Sequence, residues 1–181
     1  MRTTKTLIIL VVVCALSASL SLAQAQTAKT AAGQPLKAQE AFARLRTLCG
    51  EWQGVGMAKG QSVPAHVSYK LTAAGNALVE TLFPGTPHEM MTVYHLDGAK
   101  LMLTHYCSLG NQPRMVLDPA SSLDHLSFVF AGGTNMDPER DMHMHNVRIR
   151  IKDADHIESE WDTYQGAKFM DTKKFALTRQ K

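Results

Sequence analysis

Chemically versatile side chains are concentrated in two short stretches of the sequence. The stretch HEMMTVYHLDGAKLMLTHYC, over 88–107, carries three histidines and a cysteine, and the stretch MHMHNVRIRI, over 142–151, carries two more histidines. Imidazole nitrogens and thiolates can ligate zinc or copper, and a histidine beside a cysteine can act as its base. Metal binding and catalysis both require these side chains to lie close together, so both depend on the secondary-structure elements that carry them.

The first stretch is typical of a β-hairpin. Asp97-Gly98 separates two apolar-rich runs and favours a tight two-residue turn. Pairing across that turn leaves Glu89 and Lys100 on one face, which suits solvent. We expect the other face to line an interior, although a register slip of one residue would exchange the faces. That inner face carries His88, Met90, Thr92, Tyr94, Leu101, Leu103, His105 and Cys107.

The second stretch gives the same kind of pattern. Along 142–151 two arginines alternate with valine and isoleucine, which indicates that one face is wet and the other buried. His143 and His145 fall on the apolar face, so we expect them to point inward. In the next run, 156–165, acidic residues alternate with a face that holds Trp161, which we also place inside.

About ten short runs of β-type composition follow residue 50, and turn signals separate them. Because no connection is long enough for a crossover helix, neighbouring strands should be antiparallel. An up-and-down barrel removes the exposed edges of such a meander, and a two-sheet sandwich is the alternative. The fold class is therefore all-β. The predicted runs are 51–58, 63–72, 77–83, 88–96, 99–107, 114–118, 125–131, 142–151, 156–165 and 168–178.

The N-terminal segment 1–25 has the layout of a secretory signal peptide. A basic start is followed by the apolar run LIILVVVCAL over 7–16, and small residues end at Ala25, where we expect cleavage. The run is too short to span a bilayer permanently. We therefore expect a secreted or periplasmic protein without a stable membrane anchor.

Two further segments complete the predicted domain organisation. The small, polar residues of 26–36 predict a disordered leader. We expect a single barrel domain over 37–181 that begins with one short α-helix, because Ala38, Phe42 and Leu45 recur at helical spacing.

The charge balance does not indicate a nucleic-acid partner. Removal of Arg2 and Lys5 with the signal peptide leaves 17 basic and 16 acidic residues. No dense basic block with interleaved aromatic residues is present. Cys49 and Cys107 remain after cleavage, and they either pair in an oxidising compartment or serve as separate small hydrophobes. The sequence does not indicate an oligomeric state.

Strand directions in an up-and-down barrel bring the candidate residues to one end. We call His88, His105, Cys107, His143 and His145 the histidine–cysteine collar. Three long connections, at 84–87, 108–113 and 132–141, should form a mouth at the same end. Below the collar we expect an apolar floor of Leu101, Leu103, Phe128, Phe130, Val147, Ile149 and Trp161.

Three functions are compatible with this arrangement. The first is the binding of a small, mainly apolar molecule by the collar and Trp161, with Arg114 available for an anionic head group. The second is a transition-metal or haem site formed by His88, His105, His143 and His145, with neither zinc nor haem favoured. The third is an enzyme in which His88 activates Cys107. No carboxylate is placed to orient that base, so the pattern favours binding over catalysis.

Short motifs at the two ends resemble those of known barrels. GEWQGVG, over 50–56, resembles the first strand of lipocalin-like proteins, and above all the G-x-W-x-G-x-G opening of nitrobindin-type ten-stranded haem barrels. In calycin-type barrels a basic residue of the last strand packs over that tryptophan, which implies a contact of Arg179 with Trp52. The segment 42–179 also looks like a group of small secreted bacterial proteins of unknown function.

The resemblance does not extend to haem binding. Nitrobindin-like proteins hold the iron with a histidine close to the C-terminus, whereas no histidine follows His156 in this chain. Any iron ligand would have to come from the histidine–cysteine collar.

Overall fold

The computed structural model describes residues 36–58 and 60–181. The predicted signal peptide, its cleavage site and nearly all of the leader lie outside these residues. One helix, α1, is followed by ten strands. Their bounds are α1 Ala38–Arg46, β1 Gly50–Ala58, β2 Gln61–Thr72, β3 Ala77–Leu82, β4 Met90–Asp97, β5 Lys100–Tyr106, β6 Gln112–Leu117, β7 His125–Thr134, β8 Met142–Ile151, β9 His156–Gln165 and β10 Lys168–Arg179.

The strands form one closed antiparallel barrel. Each strand pairs with its neighbours in sequence, and β1 pairs with β10 to close the ring. The predicted all-β, ten-stranded barrel with one short preceding helix is therefore confirmed, and the sandwich is excluded. No helix in the described part of the chain has the length and apolarity needed to cross a bilayer.

Helix α1 covers one end of the barrel, which we call the closed end. The helix buries Ala41, Phe42 and Leu45 on a single face, as its apolar spacing predicts. The indole N–H of Trp52 donates a 2.8 Å hydrogen bond to the carbonyl of Leu48, just after the helix. The end of α1 is thereby fixed to the first strand.

Arg179 locks the same end from the last strand. Its guanidinium carbon lies 4.3 Å from the centre of a Trp52 ring, so the predicted cation–π contact is present. The guanidinium also donates to the carbonyls of Thr47, Cys49 and Ala154 at 2.7–2.9 Å. One side chain therefore ties together β10, β1, the α1–β1 connection and the β8–β9 turn.

The β4–β5 hairpin differs from the predicted register by two residues. Asp97 pairs with Lys100, so the turn residues are Gly98 and Ala99. Gly98 has a φ of 57°, which glycine adopts at little cost. Because side chains alternate with a period of two, this shift keeps every residue of the paired strands on its predicted face.

Strand β8 departs from simple alternation. Met144 pairs with Thr163 but Asn146 pairs with Asp162, so His145 is an extra residue in a β-bulge. Beyond a one-residue bulge the inward and outward positions are exchanged. Met144 therefore takes the inner face, and His143 lies on the other face with its partner Tyr164, where it is nonetheless completely buried.

The interior is filled near α1 and hollow near the other end. The packed half consists of side chains that are at most 2% exposed. We call the other end the open end, and it carries the connections 83–89, 107–111 and 135–141. The packed side chains include Leu78, Tyr94, Leu101, Leu103, Met115, Leu126, Phe128, Val147 and Ile149.

Replacement of Arg179 tests the lock at the closed end. We expect Arg179→Leu to lower the free energy of unfolding by roughly 2–4 kcal/mol, because three charged hydrogen bonds and a cation–π contact are lost. Arg150→Leu, on the exposed face of β8, should change it by less than about 0.5 kcal/mol. Urea titration of both variants measures the difference, and equal losses would contradict the assigned role.

Candidate functional site

The open end contains a cavity of about 390 Å³. This volume lies in the range typical of sites for small molecules. Most of the wall is thioether and aromatic, and the polar groups are few. The main apolar lining residues are Phe83, Met90, Met142, Met144, Met170 and Phe175.

Glycines in β1 allow the neighbouring strand to form this wall. A Cβ atom on Gly56 would lie 3.0 Å from the Phe175 ring, and one on Gly54 would collide with the carbonyl of Ala176. The G-x-W-x-G-x-G pattern therefore has a steric basis, since the backbone of β10 excludes a side chain at Gly54 and the Phe175 ring packs tightly over Gly56.

An ion pair forms the polar part of the cavity wall. The Nζ atom of Lys173 lies 2.6 and 2.7 Å from the two carboxylate oxygens of Asp171. Asp171 pairs with the inward-facing Thr163 across the sheet, and Lys173 pairs with Trp161. Because the two charges neutralise each other, the cavity wall carries no net charge from this pair.

Cys107 is the one member of the histidine–cysteine collar that lines the cavity. Its thiol is free, and burial raises its pKa, which favours the protonated form at neutral pH. Cys49 is also free and lies at the closed end, between α1 and β1. The two cysteines are therefore at opposite ends of the barrel and do not pair.

His105 and Trp161 lie inside the barrel, as predicted, but in the layer beneath the cavity. They are 1% and 2% exposed, and their ring centroids are 4.8 Å apart. Along their strands Cys107 and Thr163 are the next residues on the inner face, so the polar pair lies about 7 Å below those lining residues.

One residue predicted for the inner face, His88, is outside the interior, which corrects that prediction. His88 is exposed and belongs to the turn before β4, which begins only at Met90. The turn is held by its own hydrogen bonds, including one from the His88 amide to the Thr86 hydroxyl. Arg114 is exposed on β6, away from the cavity lining.

His143 and His145 are also misplaced in the sequence analysis, because the bulge removes them from the inner face. The Nδ1–H group of His143 donates to the Asp141 carbonyl, and its Nε2 atom accepts from His145 Nδ1–H, both at 2.9 Å. The His145 ring stacks on Phe130 and on Tyr164, with centroids 4.7 and 4.2 Å apart. Phe130, predicted for the floor, thus packs against these histidines where the β7–β8 ladder ends.

The predicted metal or haem site is not assembled. Among the described residues no three histidine, cysteine, aspartate or glutamate side chains are grouped closely enough to hold a metal ion. None of the histidines in this part of the chain lines the cavity, and the Cys107 thiol is disposed to keep its proton. The described residues therefore show no cluster of metal ligands, and the proposed Cys107 base, His88, lies in the exposed turn.

A buried hydrogen-bond network, which is not among the features predicted from the sequence, reaches His105 from β3. The Glu80 carboxyl contacts the hydroxyls of Tyr69 and Tyr94 at 2.9 and 2.6 Å, and it also bonds the Thr92 hydroxyl. Thr92 Oγ1 lies 2.9 Å from His105 Nδ1. Burial raises the pKa of Glu80, and the three hydroxyls oppose that shift. In the sequence, the sign of this network is Glu80, a charged residue at a position that belongs to the apolar face of β3.

The comparisons with known proteins show a likeness of fold alone. No protein-family model matches the sequence, and the search of curated proteins gives no match either. Among solved structures, the chain is similar to Rv2717c from M. tuberculosis, with 17% identity, a TM-score of 0.57 and coverage of 78% of this chain and 98% of that one.

A second structure has the same kind of likeness. This protein of unknown function from the DUF3598 family of Nostoc punctiforme (NPUN_R4044) is 12% identical, with a TM-score of 0.51. The match covers 75% of this chain and 48% of that one. The likeness is one of fold. It agrees with a calycin-like barrel, and any function has to be argued from the side chains.

The environment of His105 predicts a pH dependence of stability. Burial lowers its pKa from 6.5 to about 4, so the unfolded chain takes up a proton before the folded one does. The free energy of unfolding should therefore fall as the pH drops from 6.5 to 4, by roughly 3 kcal/mol from this group. His105→Gln should make that fall shallower in urea titrations at several pH values. His125→Gln, at an exposed histidine, is the control, and equal slopes for wild type and His105→Gln would contradict the prediction.

Proposed function

We propose that the protein binds a small, neutral, largely apolar molecule in the cavity at the open end. The observation that carries this proposal is the concave cavity of about 390 Å³ at the mouth of the barrel, whose apolar lining is mainly methionine and phenylalanine. Removal of apolar ligand surface from water supplies the binding free energy at such a site. Of the histidine–cysteine collar, only Cys107 lines this cavity, and His105 lies in the layer beneath it.

The composition of the wall supports a neutral ligand. Lys173 already has both oxygens of Asp171 as partners, so an anionic ligand would find no unpaired cation there. An ionised group would also lose its hydration on entry without compensation.

Methionines make the cavity adaptable. Their unbranched thioether side chains change rotamer easily and pack against irregular shapes. Met57, Leu109, Met142 and Met170 are lining residues that are also 39–49% exposed, so apolar surface continues from the cavity to the rim. A ligand of this class would keep apolar contacts while it enters.

A fluorescent probe and the Cys107 thiol together test the proposal. We expect N-phenyl-1-naphthylamine to bind with an increase in fluorescence and to slow the alkylation of Cys107 by iodoacetamide. Cys49, at the closed end, should react at the same rate with and without the probe. Peptide mass spectrometry separates the two thiols, and equal rates at Cys107 would overturn the proposal.

A matched pair of variants locates the probe. Cys107→Phe should fill part of the cavity and weaken probe binding about tenfold or more, because the ligand would have to displace a packed ring. Cys107→Ala removes the thiol without filling the space and should bind the probe nearly as well as the wild type. If both variants bind equally, the probe occupies another surface.

We further propose that the protein acts after export, as the predicted signal peptide implies. Expression of the full chain in a Gram-negative bacterium should yield a periplasmic protein whose N-terminus is Gln26. Intact-mass measurement of the fractionated protein tests this. Retention of the uncleaved chain in the cytoplasm would contradict the export proposal and leave the binding proposal unaffected.

A further inference from the structure

Two buried polar atoms beneath the cavity have no hydrogen-bond partner among the described residues. They are Nε2 of His105 and Nε1 of Trp161. Such atoms are costly to bury without a partner, so they usually mark the place of a ligand group or a structural water. Both side chains belong to strands whose next inward residues, Cys107 and Thr163, line the cavity.

The two atoms are complementary in hydrogen bonding. An indole Nε1–H group is a donor only. We assign the tautomer of His105 from the network on its other side, because the contact of Thr92 Oγ1 with His105 Nδ1 fits donation in either direction. When Tyr69, Tyr94 and Thr92 direct their hydroxyl protons at Glu80, Thr92 Oγ1 is left to accept from His105 Nδ1–H. Nε2 then carries a lone pair and acts as an acceptor.

We propose that this donor–acceptor pair binds a hydroxyl group, and that the cavity ligand is therefore a neutral apolar alcohol or phenol. The hydroxyl oxygen accepts from Trp161 Nε1–H while its proton is donated to His105 Nε2. The apolar body of the ligand fills the methionine-lined space above. This inference rests on the proposed function, because it specifies what the cavity holds.

Other polar groups fit the pair less well. A carboxylate has no proton for His105 and would bring a charge into a packed, apolar layer. A ketone can accept from Trp161 but leaves His105 Nε2 unpaired. A hydroxyl supplies one donor and one acceptor from a single oxygen, as does water. The experiment must therefore separate a ligand hydroxyl from a retained water molecule.

Two compounds of nearly the same shape make that separation. 1-Naphthol and 1-methylnaphthalene differ by a hydroxyl in place of a methyl group, and both can be titrated as competitors of N-phenyl-1-naphthylamine. We expect 1-naphthol to bind about tenfold or more tightly, since a site built around a hydroxyl rejects the analogue that lacks it. Its binding should also shift the indole ¹H–¹⁵N resonance of Trp161 downfield, whereas 1-methylnaphthalene should not.

Two variants assign the preference to the proposed atoms. Trp161→Phe keeps an aromatic ring but removes the N–H donor, so the affinity ratio should fall to within about threefold. Thr163→Val removes a hydroxyl from the cavity wall at nearly constant size and tests whether that hydroxyl holds the ligand instead. Thr104→Val, on the outer face of β5, is the control and should preserve the preference. The indole resonance is measured on the wild-type protein, so the result does not depend on how well the tryptophan variant folds.

Each outcome has a definite meaning. Equal affinities for the two naphthalenes would show that the pair does not bind the hydroxyl of a ligand, which overturns this inference and leaves the proposed function standing. A preference that survives Trp161→Phe but is lost in Thr163→Val would also overturn it, because the hydroxyl would then be held at the cavity wall. If none of the three compounds binds, the proposed function fails together with this inference.

Discussion

Closure of the barrel between β1 and β10 is the contact on which the rest of the structure depends. The strands approach so closely that Gly54 has no room for a side chain, and Arg179 fastens the end of β10 over Trp52. Without this seam the sheet would have two open edges, and the inner faces would not meet around a single interior. The cavity and the buried network are consequences of that closure.

The closed interior is divided into two parts with different roles. Near α1, large side chains are packed at very low exposure and account for the apolar stabilisation of the fold. The buried Glu80 forms no salt bridge in the described part of the chain, and instead three hydroxyl groups satisfy it. That arrangement ties β2, β3 and β4 together and holds His105 in a fixed orientation just below the cavity.

The sequence predicted the architecture well because strand positions depend on local alternation and on turn residues. All ten strands lie close to their predicted ranges, and the two-residue error in the β4–β5 register did no harm because it preserved the faces. The single extra residue at His145 had a larger effect, since it moved His143 off the inner face. A bulge depends on the partner strand, so the alternation within β8 does not reveal it.

The candidate site was harder to predict, because its polar residues lie at strand positions where the alternating pattern calls for apolar ones. Glu80, Asp171 and Lys173 are charged residues in register with apolar neighbours, and only the paired strands show how their charges are satisfied. The sequence predicts that β4 begins at His88, because the run 88–96 has a composition typical of a strand. The hydrogen bonds of the preceding turn include His88, however, so the pairing of β4 with its neighbours begins only after this residue.

The Asp171–Lys173 pair has a consequence for how the cavity would recruit an occupant. A wall whose charges cancel exerts little attraction at a distance, so capture would be nearly independent of ionic strength. The cavity would then select molecules by their hydrophobicity and by the fit of their shape to the space. The barrel would therefore compete with lipid phases for its occupant, and the sparing solubility of that molecule would favour its uptake.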